Sequence, residues 1–397
     1  MRILVAPSGL KESVEPIEAV KQITKGIKKV FPAADIFGIP FVDGGEGTTR
    51  ALTKLTNGIL LKTRVTGPIG KSVDSYIGIL GKQKPKTAII EIAAAAGLKL
   101  VPSKYRNPLL TTSYGVGELI RFALDNHVQE ILIGCGDSGT NDGGIGMAQA
   151  LGAVFKDKEG NSIKLGGSEI HKLDSIDLSR LDPRIRHVNI HVALNINNIL
   201  TGRKGVAQVF GPQKGANEVQ IDKMSKAMDH LAKIVKQDIG IDVALMPGGG
   251  ASGGLGAGLH AFLGATLHSR YDVINQFTGL DKILPITDLI VTAEGSIDSQ
   301  TPNGKVPAFL ASKAKKFNIP VVVLVGTIGK GAKKNYKTGI SAYESILSEP
   351  ISLEEAIHNG SSLLEDAAER LMRAIKIGIS LNIFSQQTGF IKSRRNP

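Results

Sequence analysis

At both ends of this 397-residue chain, short apolar runs alternate with amphipathic helical stretches, and that alternation leaves few folds open. Residues 2–6 read as a strand, 16–30 as a helix with Ile17, Val20, Ile23 and Ile27 at helical spacing, and 36–42 as a second strand. From residue 289 the alternation resumes with strand 289–292, helix 307–317, strand 321–325 and helix 353–375. Strands separated by helices pair parallel, with the crossover helices covering the sheet. Residues 60–92 differ: three alternating, β-branched segments (61–65, 76–80, 88–92) are punctuated by Gly-Pro and Gly-Lys turns. The expected fold is α/β with two α/β domains. A discontinuous parallel-sheet domain, Rossmann- or flavodoxin-like, takes residues 1–65 and 270–397, and a mixed α/β domain, 66–269, is inserted in it.

Glycine supplies 47 residues, about 12% against a usual ~7%, and it is clustered. Clustering without a repeat predicts several tight loops where backbone comes close to a ligand. The densest is residues 130–144: an apolar run, Ile131, Leu132 and Ile133, then glycines interleaved with Asp137, Ser138, Thr140, Asn141 and Asp142, then a helix over 143–151. A strand feeding a glycine turn that opens a helix gathers backbone N–H groups and a positive dipole end, which suits phosphate. A second glycine loop, 248–258, also runs into a helix. Both contain a literal G-x-G-x-x-G (134/136/139 and 248/250/253), so a nicotinamide site stays open as an alternative, although the first turn is unusually polar and Asp157 sits in a hairpin predicted over 156–164.

Three further loops carry charge. Asp43-Gly44-Gly45-Glu46 places two carboxylates at a strand end, in a pattern that also fits a capping box. Glu294-Gly295-Ser296-Ile297-Asp298 follows strand 289–292 and precedes Lys305, a set that suits Mg²⁺ and phosphate. Residues 210–216 carry Gln213 and Lys214, the lysine being a mobile point charge for phosphate or carboxylate. Residues 67–72, in contrast, read as a plain turn, because two residues separate the glycines where a P-loop has four.

Several classes are excluded. Aromatics are 5% of the chain and Trp is absent, against a stacking platform for nucleic acid. The net charge of +12 is dispersed over helices, so it reads as solvated faces that attract anionic metabolites. One cysteine, Cys135, excludes an internal disulfide and fits the cytoplasm. No run of about 18 apolar residues is present, so no membrane span is expected. The expected partners are small molecules and, at most, a second copy of the chain in a homodimer.

Together the loops have a distinctive order, and here the chain resembles the bacterial type-1 glycerate kinase family to about residue 380. The resemblance is carried by Ala6-Pro7 with Lys11-Glu12-Ser13, by Val42-Asp43-Gly44-Gly45-Glu46-Gly47-Thr48, and by Arg106-Asn107-Pro108 with Tyr114-Gly115-Val116-Gly117-Glu118. It continues through Ser138 with Thr140-Asn141-Asp142-Gly143-Gly144, then Phe210-Gly211-Pro212-Gln213-Lys214-Gly215-Ala216, Gly253-Gly254-Leu255-Gly256, Glu294-Gly295 and Asp298. It implies an ATP- and Mg²⁺-dependent kinase acting on D-glycerate, commonly at the 2-hydroxyl, with the active site in a cleft between two α/β domains. In that reading Asp43 or Asp142 accepts the hydroxyl proton or holds Mg²⁺, and Glu294 and Asp298 are metal or ribose contacts. Lys11, Lys214 and Lys305 neutralise phosphate and carboxylate, while Glu46, Ser138, Thr140, Asn141 and Gln213 bind substrate or phosphate. The chain departs from the family pattern at Ser8, Gly9, Asp137, Asn195 and Ser296. A non-catalytic or substrate-shifted relative that binds another small hydroxy acid therefore stays open beside the kinase.

Overall fold

The computed structural model describes residues 1–10, 13–42, 44–81 and 84–393, with backbone alone for 274, 303 and 382–393. Its strands, in chain order, are β1 (Arg2–Val5), β2 (Asp35–Gly38), β3 (Ile59–Thr66), β4 (Ser72–Ile79), β5 (Thr87–Glu91), β6 (Glu130–Gly134) and β7 (Val154–Lys156). They continue with β8 (Ser175–Asp177), β9 (Asn189–Leu194), β10 (Thr266–Ser269), β11 (Leu289–Ile297), β12 (Val321–Ile328) and β13 (Ala342–Ser345). The fold is α/β, in two compact units: Met1–Phe41 with Thr278–Pro397, and Val42–Phe277.

These borders differ from the expected 65/66 and 269/270. The first falls earlier because β3 pairs along its whole length with β4, and the helix Thr48–Leu55 packs on β4 and β5, so residues 42–65 belong to the second sheet. The second falls later because the helix Arg270–Thr278, which directly follows β10, stays with that unit up to Phe277.

In the first unit every strand pair is parallel and the order is β13-β12-β11-β1-β2. Such strands are covered on both faces and read as continuous apolar runs, as in Val321–Val325. Ile3, Val5, Leu289, Val291, Val322 and Leu324 pack with the inner faces of the helices Pro16–Val30 and Gly360–Ser393. Pro16 at the first turn and Lys28 and Lys29 at the last suit the ends of the former helix. Gly26 lets it approach closely, since a Cβ there would lie 2.2 Å from the Glu365 carbonyl oxygen. The chain moves outward from β1 to β2, then returns to the other side of β1 with β11. The order reverses there, and open α/β sheets bind ligands outside the carboxyl ends of such a strand pair.

The second unit has the order β10-β9-β6-β5-β4-β3, parallel from β10 to β5 and antiparallel beyond. The turn expected over 67–72 closes the β3–β4 hairpin, with the Gly67 N–H donating to the Lys71 oxygen at 2.7 Å. The turn at 157–161 also forms, but the ladder partner of β7 is β8. Ile90, Ile131, Ile133 and Val192 build the core with Val116, Leu119, Ile120 and Ala123 of the helix Tyr114–Asp125. Because β5, β6 and β9 are parallel, the loops after Glu91, Gly134 and Leu194 open along one edge. Among the described residues no helix is long and apolar enough to cross a membrane.

Candidate active site

The loop after β6 is held by other loops. A Cβ on Gly134 would lie 2.6 Å from the Gly44 oxygen, and one on Gly136 would lie 2.7 Å from the Cα of Gly45. On the far side, a Cβ on Gly253 would lie 2.0 Å from the Thr140 oxygen, and Gly254 meets the Cα of Gly143 in the same way at 2.9 Å. The glycines thus let backbone interlock with backbone. Gly253 and Gly254 are left-handed (φ +77° and +88°), which breaks the start of the helix Ala251–Leu263. A dinucleotide turn needs an unbroken helix start at that place.

Asp142 is buried, and its carboxylate is fully engaged. Oδ2 accepts from the Ser113 N–H (2.7 Å), the Ser113 hydroxyl (2.9 Å) and the Thr112 hydroxyl (3.3 Å), and Oδ1 accepts from the Gly144 N–H (3.2 Å). Burial raises its pKa, against these donors. The N-terminus of the short helix Ile145–Ala150, expected to attract phosphate, therefore already faces a carboxylate.

Lys214 is 3% exposed, and its ammonium donates to Ser138 Oγ (2.9 Å) and to the Thr140 oxygen (2.7 Å). Burial pushes its pKa down to about 7, opposed by the charge of Asp142. Lys214 thus ties the loop from beneath, while the neighbouring Gln213 is exposed. Between the tied residues, Thr140 Oγ1 and both amide atoms of Asn141 are buried without a hydrogen-bond partner among the described residues. Cys135 is buried too, and desolvation pushes its thiol up to about 12, so it offers no thiolate.

The loop at 44–47 lies against this turn. Asp137, left-handed at φ +52°, accepts the Glu46 N–H at 3.1 Å, and Glu46 pairs with Lys99 at 2.5 Å. Asp137 occupies a departure from the family pattern and acts here as a clamp between two loops. Asp43 and Lys11 lie outside the described residues. Sequence reasoning missed Glu91, a buried carboxylate at the end of β5 that accepts from the Thr49 N–H (2.9 Å) and the Tyr76 hydroxyl (2.6 Å). Its signal was a lone acid closing the apolar run Ala88–Ile92. Burial raises its pKa, and it anchors the start of the helix Thr48–Leu55 just beyond the acidic loop. Asn195 only turns back on its own backbone, accepting from the Asn197 N–H at 3.1 Å.

In the first unit, β11 is longer than expected, so Glu294 and Ser296 stand in the strand, opposite Val325 and Thr327 of β12, and not in a loop after it. Lys305 Nζ lies 3.8 Å from Glu294 Oε1 and 3.4 Å from Asp298 Oδ2, and 3.3 Å from the Ser296 carbonyl oxygen. Burial opposes it, yet the Gln300 N–H and the Lys305 charge hold the Asp298 carboxyl below its ordinary range. Ser8, at the end of β1, donates its N–H and its hydroxyl to the Ala293 oxygen, each at 3.0 Å. These groups lie at the carboxyl ends of β1 and β11, where the strand order reverses. The expected site residues therefore form two sets: Glu46, Ser138, Thr140, Asn141, Asp142 and Lys214 in the second unit, and Glu294, Asp298 and Lys305 in the first.

A divalent cation needs hard oxygen donors, and Mg²⁺ usually takes one or two carboxylates with the rest from water and phosphate. Among the described residues no three His, Cys, Asp or Glu side chains gather to hold a metal alone. The pair Glu294 and Asp298 fits the Mg²⁺ pattern.

The model of the Glycerate kinase family matches residues 3–376. Glycerate 2-kinase of Escherichia coli (strain K12) is 42% identical over 96% of this chain and 99% of its own length. Glycerate kinase of Bacillus subtilis (strain 168) is 42% identical over 95% of this chain and 98% of its own. A solved structure from Salmonella typhimurium LT2, described as a glycerate kinase 2, has a TM-score of 0.81 and 42% identity, covering 96% of this chain and 99% of that one.

Proposed function

This chain belongs to the glycerate kinase family, and from that premise we propose that it transfers the γ-phosphoryl group of ATP to the 2-hydroxyl of D-glycerate, giving 2-phosphoglycerate and ADP. The observation that carries the reading is that the likeness runs the length of the chain and takes in every loop of both residue sets.

Phosphoryl transfer asks a protein for positioning and charge neutralisation more than for covalent chemistry. In the first unit Glu294 and Asp298 would hold Mg²⁺, which supplies neutralisation of phosphate charge, and Lys305 adds a cation beside them. In the second unit Lys214 and Asp142 hold the loop 138–144 in one shape, so that its contacts need no rearrangement when substrate arrives. Asp142 is then a positioning residue, since its lone pairs are taken by donors. Asp43 remains the carboxylate to accept the hydroxyl proton, and the chain that follows it is held by Asp137 at Glu46 and by Glu91 at Thr49. The single buried cysteine fits a reducing compartment, and we place the reaction in the cytoplasm.

The test is ADP release by the purified protein, with and without D-glycerate and with and without Mg²⁺. The reading expects release that requires both. Binding of D-glycerate without ADP release would favour a non-catalytic relative, the reading that the departures at Ser8, Asn195 and Ser296 keep alive.

A further inference from the structure

We propose that the open hollow between the β3–β4 hairpin and the first turn of the helix Thr48–Leu55 is a second binding site, for the phosphate group of a small ester or of free phosphate. On the kinase reading above, its occupant slows turnover.

The hairpin register sets Lys62 opposite Tyr76 and Arg64 opposite Asp74, so these four side chains stand on one face of the ladder. Gly78 lies two residues beyond Tyr76 on the same face and is covered by the helix, since a Cβ there would lie 2.0 Å from Thr53 Oγ1. Towards the other end of the ladder the face opens into a hollow of about 490 Å³, lined chiefly by Arg50, Lys62, Arg64, Asp74 and Tyr76. That volume is within the usual range for small-molecule sites. The Arg50 guanidinium lies 4.9 Å over the Tyr76 ring. Arg64 has Asp74 as a partner at 3.3 Å, but these side chains are 71% and 93% exposed, so water screens the pair and it parts easily. Lys62 is exposed and makes no ion pair among the described residues.

Three cations thus face one hollow against a single acid on its rim, an arrangement that an anion relieves and that gathers anions from solution. Two guanidinium forks suit the several oxygens of a phosphate, and Lys62 adds a point charge. A monocarboxylate such as D-glycerate carries one charge and would leave the second fork unmet. A purine would need a bare ring to stack on, and the Tyr76 ring already carries Arg50. The hollow is joined to the acidic loop through Tyr76, whose hydroxyl donates to the buried Glu91 (2.6 Å), which also accepts the Thr49 N–H (2.9 Å). Burial raises the Glu91 carboxyl, and the Tyr76 hydroxyl, the backbone donors and the Arg50 charge oppose it. An anion in the hollow draws on that same Arg50 charge, which weakens the hold on Glu91 and loosens the chain that follows Asp43.

The experiment is isothermal titration calorimetry with glycerol 3-phosphate and with inorganic phosphate. The protein is first saturated with D-glycerate, Mg²⁺ and a non-hydrolysable ATP analogue, so that the site described above is filled. One equivalent is expected to bind, and the tighter of the two probes tells the ester from the free ion as the occupant. In Lys62→Ala/Arg64→Ala the Kd is expected to rise at least about tenfold, while turnover without added phosphate stays within about twofold of the wild type. Lys62→Gln alone, which keeps the Arg64–Asp74 pair, is expected to raise the Kd about threefold. In the wild type the bound probe is expected to lower kcat, and excess D-glycerate is expected not to restore it. No binding once the substrates are in place, or equal affinity in the double variant, overturns the site. Binding without slowing overturns its link to the loop. If the wild type transfers no phosphate to D-glycerate, the kinase reading fails instead, and the titration still decides the site.

Discussion

The loop after β6 and the end of β11 carry the same kinds of residue, acids, a lysine, serines and glycines, but they are built in opposite ways. Asp142 and Lys214 are both buried, and their charges are spent on backbone and hydroxyl partners. Around Asp298 and Lys305 the side chains are roughly a quarter exposed, and the partners are other charges at 3.4 to 3.8 Å. An interior set of this kind fixes a shape, whereas a water-facing set with loose ion pairs exchanges partners easily and suits a hydrated cation. The two units thus divide into a rigid cradle and an adjustable charge cluster.

The largest effect is expected from breaking the cradle at its only buried cation among the described residues. Lys214→Met removes two hydrogen bonds to the loop while keeping the side chain's bulk, and turnover is expected to fall by about a hundredfold or more. The same variant is expected to melt within a few degrees of the wild type, because methionine carries no desolvation penalty. A steady-state assay with a thermal melt checks both, and full turnover in this variant would remove the clamp from the account.

Next come two glycine substitutions that set the loops side by side. Gly253→Ala forces a Cβ to 2.0 Å from the Thr140 oxygen at φ +77°, and a loss of about 3 kcal/mol is expected. Gly304→Ala near the charge cluster is also left-handed, at φ +98°, but meets nothing within 4 Å, and only the backbone term of about 1 kcal/mol is expected. Urea denaturation compares them, and equal losses would erase the contrast between the regions.

Smaller still is the effect of Asp298→Asn. Turnover at saturating Mg²⁺ is expected to survive in part, while the Mg²⁺ concentration for half-maximal rate rises about tenfold and the melting temperature stays put. A titration of rate against Mg²⁺ reads this directly. Lys214 also gives a slope of stability with pH. Native Lys214 loses its proton near pH 7, whereas in the unfolded chain it keeps it to about 10.5. Between those values the unfolded state binds more protons, so stability rises with pH, by at most about 1.4 kcal/mol per unit, and below about 7 this contribution is flat. Denaturation at pH 7 and pH 9 is expected to show the rise in the wild type and not in Lys214→Met.

The sequence exposed the framework because its elements are local. The helix Pro16–Val30 was delimited residue for residue by Pro16 and an apolar period, and β6 and β12 were visible as apolar runs. The domain borders were displaced because the ownership of residues 42–65 depends on which sheet captures β3, a non-local pairing. In the site, residue types were legible but their roles were not. Asp142 reads equally well as a base or as an anchor until Ser113, 29 positions away, is seen to donate to it. Lys214 reads as a mobile surface charge until the fold buries it against Ser138, 76 positions away. Glu91 was passed over because it ends a strand that looked purely structural.

The central claim is tested most directly by the position of the phosphate in the product. The purified protein is incubated with D-glycerate, ATP and Mg²⁺, and the product is examined by phosphorus-31 NMR with proton coupling. The account predicts one new ester whose phosphorus couples to the single proton on carbon 2, formed one for one with ADP. Coupling to the two protons on carbon 3, or free phosphate with no ester at all, would contradict it.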